Sequence, residues 1–139
     1  MLKKYALTND YIRFMRDLTL HRIVALRDFG NVKAYDLGGY VEDESNLSHE
    51  GDCWIGKNAK VFDHATVTGS ALVSGCARVY GSAHVTDHAY VHDGAEVYDG
   101  AHIVGNLMIG GNAVVCSAEG RKDGETDERK DGHVGEERK

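Results

Sequence analysis

The stretch Ala59-Lys60-Val61-Phe62-Asp63-His64-Ala65-Thr66-Val67-Thr68-Gly69-Ser70-Ala71-Leu72-Val73-Ser74-Gly75 decides the fold. It is one sentence written three times in steps of six. Each step has a small residue, then any residue, then a large aliphatic, then after one more residue Asp or Gly. The aliphatic series runs Ile55, Val61, Val67, Val73, Val79, Val85, Val91, Val97, Ile103, Ile109, Val115. Two places before each stands Cys53, then alanine from Ala59 to Ala101, then Leu107 as an exception, then Ala113. Two places after, the chain reads Asp63, Gly69, Gly75, Gly81, Asp87, Asp93, Asp99, Gly105, Gly111. An internal repeat this strict governs every other reading of the chain.

Small-x-aliphatic has period two, so both side chains face one way, as in a strand. Asp or Gly at the following position is turn chemistry, because these residues tolerate left-handed backbone. A helical period of 3.6 does not fit. A strand of two or three residues cannot pair with its neighbour in sequence across such a corner. It is satisfied when the chain coils and each short strand bonds to the one a full coil away. Alanine then packs the crowded corner and Val or Ile fills the lumen.

This run resembles the hexapeptide-repeat family of left-handed parallel β-helices. The resemblance covers residues 53–116 and implies three strands and eighteen residues per coil. The fold expected is therefore all-β: a left-handed parallel β-helix over 37–116, a β-rich cap over 1–36, and a charged tail over 117–139. Leu20-His21-Arg22-Ile23-Val24-Ala25-Leu26 reads as strand. Val41 and Leu47 share the six-residue phase of Cys53, and Leu37 that of Ile55, so coiling is expected to begin near Leu37. The phrases Arg27-Asp28-Phe29-Gly30-Asn31-Val32-Lys33-Ala34 and Asp36-Leu37-Gly38-Gly39-Tyr40-Val41-Glu42 resemble the leader of a phage and prophage group of such proteins. Its physical task is to cap an open coil end, which exposes unpaired backbone and apolar lumen. Residues 117–139 carry eight acidic and six basic side chains and one large aliphatic, Val134. That composition buries too little apolar surface to order itself.

The chain has 139 residues, 42% of them hydrophobic and 27% charged, and a formal net charge of -6. No surplus of Lys and Arg exists to neutralise phosphates, so direct nucleic-acid binding is not expected. No stretch approaches the roughly 20 apolar residues of a membrane span. Met1-Leu2-Lys3-Lys4-Tyr5 carries charge but no apolar run of the secretory kind, and Cys53, Cys76 and Cys116 lack metal-like spacing. A cytoplasmic protein with reduced thiols is the expectation.

Stacking residues eighteen apart sorts the outward positions into ladders. Trp54, Leu72, Tyr90 and Met108 form one; Phe62, Tyr80 and Tyr98 a second, ending at Cys116; Thr66, His84 and His102 a third; Lys60, Arg78 and Glu96 a fourth. The first two are candidate interfaces, because contiguous exposed apolar surface marks contact sites. The alternative for the first is that the leader folds back over it. For the second it is a plain aromatic ladder between strands. The resemblance implies a homo-oligomer, a trimer of prisms side by side. A dimer through the C-terminal coil is the competing geometry.

Two functions are open on the sequence. The favoured one is a non-enzymatic, phage-associated homo-oligomer that presents its faces to a host protein, possible inhibition of a host defence included, with no cofactor. The unbroken six-residue step supports it, since family acyltransferases extrude a long loop. The alternative is an acyltransferase using a coenzyme A thioester, with His84 or His102 as general base. His84, His88 and His92 are spaced by four, which would share a face on a helix but not on coils. No metal site within one chain is expected, although histidines of three copies could meet at an axis.

Overall fold

The computed structural model describes residues 3–15 and 17–116. The tail expected over 117–139 lies outside the described residues. Two long strands come first, β1 (Tyr5–Phe14) and β2 (Leu18–Ala25), then β3 (Leu37–Val41). A single 3-10 turn (Glu44–Asn46) follows, capped by the Asp43 side chain on the Ser45 N–H. Eleven short rungs succeed it: β4 (Trp54–Ile55), β5 (Lys60–Val61), β6 (Thr66–Val67), β7 (Leu72–Val73), β8 (Arg78–Val79), β9 (His84–Val85), β10 (Tyr90–Val91), β11 (Glu96–Tyr98), β12 (His102–Ile103), β13 (Met108–Ile109) and β14 (Val114–Cys116).

The rungs assemble into three parallel sheets, so the coil is three-sided. One face is β4-β7-β10-β13, one is β6-β9-β12, and the third is β3-β5-β8-β11-β14, extended by the antiparallel hairpin of β2 and β1. The result is an all-β parallel solenoid of about four turns. Rungs pair eighteen residues apart: Val61 with Val79, Val79 with Val97, Val97 with Val115. Leu47 bridges Val67 and β3 joins β5 through Val41 and Val61, also in parallel but twenty residues apart, so Val41 and Leu47 stack on lumen valines and not in the Cys53 phase expected of them.

The repeat explains the packing. Every corner alanine and every lumen Val or Ile from Ile55 to Ile109 is buried to within 1%, as is Leu107, the large residue in an alanine position. All nine Asp/Gly corner positions lie in the left-handed region, Asp63, Asp87, Asp93 and Asp99 at φ between 57° and 59° and the glycines at 62° to 69°. The aspartates add a second bond. The Asp63 carboxylate accepts from the Gly81 N–H at 3.1 Å, Asp87 from Gly105 at 2.9 Å, and Asp93 from Gly111 at 3.0 Å. Each of these three acids staples its corner to the glycine one coil on.

The leader closes the N-terminal end. Coil N–H groups donate to carbonyls of the following coil, as Trp54 does to Ala71 and Thr66 to Ala83. Carbonyls of the first coil therefore face the leader. Lys4 Nζ donates to Gly51 O at 3.1 Å and Cys53 O at 2.8 Å, and lies 4.7 Å from the centroid of the Phe29 ring. Asn46 Nδ2 donates to Asp63 O and Ala65 O, and Tyr5 Oη to Leu47 O at 2.6 Å. Burial lowers the Lys4 ammonium below its usual range, with the adjacent Cys53 opposing that shift.

Candidate functional site

The residue between each corner alanine and each lumen aliphatic points outward, so chemistry on this fold is written in ladders. On β6-β9-β12 the ladder is Thr66, His84 and His102, paired in that register. The Thr66 hydroxyl lies 2.5 Å from His84 Nδ1. The His84 and His102 rings meet edge to face, with centroids 4.9 Å apart and planes at 88°. His84 is half-buried and His102 exposed. Burial depresses the His84 basicity, and the positive potential of His102 adds to it. Where Nδ1–H donates to Thr66, Nε2 keeps a free lone pair. The Thr66 contact orients the ring, and burial favours the neutral imidazole that a proton acceptor requires.

The ladder Phe62, Tyr80, Tyr98 is a stack of near-parallel rings, 5.0 Å and 5.1 Å between centroids and tilted by 2° and 6°. Phe14 of β1 meets Phe62 edge-on at 5.3 Å and buries it. Beside it Arg78 and Glu96 pair at 3.5 Å, and Glu96 accepts from the Tyr80 hydroxyl at 3.1 Å. Burial first, then the Glu96 charge, pushes the Tyr80 phenol well above its ordinary range. Phe62 belongs to the interior of this chain and is not available to a partner.

The ladder Trp54, Leu72, Tyr90, Met108 is divided. Phe29 meets Trp54 edge to face at 5.3 Å, and Gly38 lies so close that a Cβ there would sit 2.6 Å from the indole. Trp54 is only 6% exposed, while Leu72 is 37% and Met108 51% exposed. An interface through all four residues is therefore corrected: the leader folds over the first rung, because the coil end needs an apolar lid. Leu72, Tyr90 and Met108 remain outward.

One arrangement was not anticipated. His92 stacks on Tyr90 at 4.5 Å, its Nδ1 lies 3.4 Å from Asp93 Oδ2, and Tyr90 Oη lies 3.3 Å from Ser74 Oγ. The Gly111 N–H chiefly holds the Asp93 carboxyl below the usual carboxylate range, and His92 adds to this. The His92 ring rests over Gly110, where any Cβ would lie 2.2 Å from Cε1. The signal was present in the eighteen-residue ladder Ser74, His92, Gly110, whose last member has no side chain.

His64 and His88 occupy corners, on turns between rungs. His84, His88 and His92 fall on β9, a corner and the residue after β10, so their spacing of four brings nothing together. Among the described residues no group of three or more His, Cys, Asp or Glu side chains is placed to hold a metal ion. Cys53 is buried, Cys116 half-exposed and Cys76 exposed, all as free thiols. Among the described residues no helix is long and apolar enough to cross a membrane.

No family model matches the chain. It is similar to an uncharacterized acetyltransferase of Escherichia coli (strain K12), YdcK, at 32% identity over 77 residues, which is 50% of this chain and 24% of that protein. The chain thus matches about a quarter of the length of this curated relative.

Proposed function

We propose that this chain carries out acyl transfer from a coenzyme A thioester, with His84 as general base on the β6-β9-β12 face. The observation that carries the reading is the oriented, weakly basic imidazole of His84, fixed by Thr66 and flanked by His102. The likeness to a protein named as an acetyltransferase supports it. His84 Nε2 would take the proton from an acceptor hydroxyl or amine as that group attacks the thioester carbonyl. The carbon–sulfur bond then breaks and the proton leaves on the thiol, so the products are the acylated acceptor and free coenzyme A. His102, exposed beside it, orients the acceptor. A base already neutral at physiological pH loses nothing to prior deprotonation.

Calorimetric titration with acetyl-coenzyme A, followed by turnover against a panel of hydroxyl and amine acceptors, tests the reading. His84→Gln should lower kcat at least about a hundredfold, in the range typical of a lost general base. Absence of binding at millimolar donor overturns it.

A second reading rests on a different observation, the outward Leu72, Tyr90 and Met108. They suit a non-enzymatic homo-oligomer or a protein-binding face. Leu72→Lys combined with Tyr90→Lys should lower the mass seen by light scattering; an unchanged mass removes that face from any assembly.

A further inference from the structure

We propose that residues 121–128 turn back along the seven-stranded face and dock on Glu96, Arg78 and Lys60. The charges of that face stand in register. Glu96 lies opposite Val114 of the last rung, Arg78 opposite Glu96, and Lys60 opposite Arg78. Read from β14 toward β5, the order is acid, base, base. The last rung on this face ends at Cys116. Past Glu119 the sequence reads Arg121-Lys122-Asp123-Gly124-Glu125-Thr126-Asp127-Glu128, two bases and then four acids in six residues. Chain retracing the face therefore meets Glu96 with its bases and the two cations with its acids.

The face is short of acid where the proposed contact falls. Lys60 and Arg78 are like charges directly opposite each other, an unfavourable cross-strand pair. Lys60 Nζ lies 5.5 Å from the Phe14 ring centroid and 5.9 Å from that of Tyr40, and Arg78 Cζ lies 5.3 Å from that of Phe14. Arg22, also over Tyr40, already has Asp10 at 3.1 Å. Glu96 serves both Arg78, at 3.5 Å, and the Tyr80 hydroxyl. Lys60 donates only to Asn58 O, at 3.5 Å, and among the described residues no carboxylate pairs with it.

The reach is sufficient. Three rung steps of about 4.8 Å put β5 about 14 Å from β14. The seven residues from Cys116 to Asp123 span up to about 24 Å. Exposed ion pairs are individually weak, but a tether holds these acids beside the cations at a high effective concentration. The inference needs neither acyl transfer nor the Leu72 face, and it leaves the His84 ladder uncovered.

Carbodiimide coupling joins an amine to a carboxylate already in contact with it, and peptide mass spectrometry of the unaltered full chain reads the product. At low salt, crosslinks from Lys60 to residues 123–128 should exceed those from Lys33, an exposed lysine of the leader, by at least about tenfold. At about 1 M salt, where the screening length is about 3 Å, they should fall to the Lys33 level. In a mixture of light and isotope-labelled chains, each crosslink should carry one isotope. Mixed crosslinks as abundant as unmixed ones would assign the arm to a second copy and overturn docking within one chain. A full chain carrying Asp123→Asn, Glu125→Gln, Asp127→Asn and Glu128→Gln gives a second readout that alters no described residue. Its amide resonances at Lys60, Arg78 and Glu96 should differ from those of the unaltered chain at low salt and coincide with them at about 1 M. Coincidence at both salts overturns the proposal, as do equal crosslink yields at Lys60 and Lys33 in low salt.

Discussion

Gly75 and Gly111 share one conformation but not one environment, and replacing each by alanine isolates what the stacking costs. Their φ angles are 66° and 62°, so alanine meets nearly the same left-handed penalty at both, about 1–2 kcal/mol. The surroundings then diverge. A Cβ on Gly75 would lie 2.7 Å from Asp93 N, 2.9 Å from Asp93 O and 3.0 Å from Asp93 Cα, whereas one on Gly111 meets nothing within 4 Å. The atoms opposing Gly75 are backbone of the next coil. They are anchored by Cys76 N–H donating to Asp93 O and by Asp93 Oδ2 accepting from Gly111. They cannot swing aside as a side chain would, and forced overpacking costs about a further 1–3 kcal/mol. Gly75→Ala should therefore lose about 2–5 kcal/mol and Gly111→Ala about 1–2 kcal/mol. Urea unfolding followed by circular dichroism measures both, with equal slopes as the check that the unfolding unit is unchanged. Losses equal within about 0.5 kcal/mol would refute the account, since coil stacking would then contribute nothing beyond the turn.

Lys4→Met should cost about 2–4 kcal/mol by urea unfolding, because the buried Cys53 carbonyl and the partly buried bond to Gly51 lose their donor; a loss below about 0.5 kcal/mol would show those carbonyls satisfied otherwise. Gly110→Ala should expel the His92 ring from its stack on Tyr90, moving the His92 imidazole resonances while stability changes by less than about 1 kcal/mol, since a side chain gives way. His84 has a native pKa below its unfolded value of 6.5, so below that pH the unfolded chain binds the extra proton and stability falls as pH drops toward the native value. His84→Gln should flatten that part of the stability profile between neutral and mildly acidic pH; an unaltered slope would assign it to other groups.

The solenoid was legible because one rule is repeated at every coil. The alanine and valine positions carried the inside, and the Asp/Gly positions carried the corners, where all nine took the left-handed backbone their chemistry allows. The ladders followed from register alone: Arg78 beside Glu96, His84 beside His102 and the aromatic stack were each readable from spacing. The leader was not, because it does not repeat. Nothing in Phe14 or Phe29 states which rung it will cover, and both turned out to withdraw an aromatic, Phe62 and Trp54, from the surface. His92 was missed for another reason. Its site depends on an absence, the missing side chain of Gly110, and on a side chain two residues away rather than eighteen.

The composition of the leader follows from the direction of the coil's own hydrogen bonds. Each coil sends N–H groups forward and receives them on its carbonyls, so the first coil presents a ring of carbonyls with no coil before it. A cap for that end must donate. Lys4, Asn46 and Tyr40 supply donors at successive faces, through Nζ to Gly51 and Cys53, through Nδ2 to Asp63 and Ala65, and through the backbone to Ala59. Arg22 completes the series, with Nη1 on Gly38 O and Lys57 O. A buried lysine in an apolar end is costly when unpaired. Here its three protons meet two carbonyls and the Cys53 sulfur, which turns a liability into closure of an edge that would otherwise recruit a foreign strand.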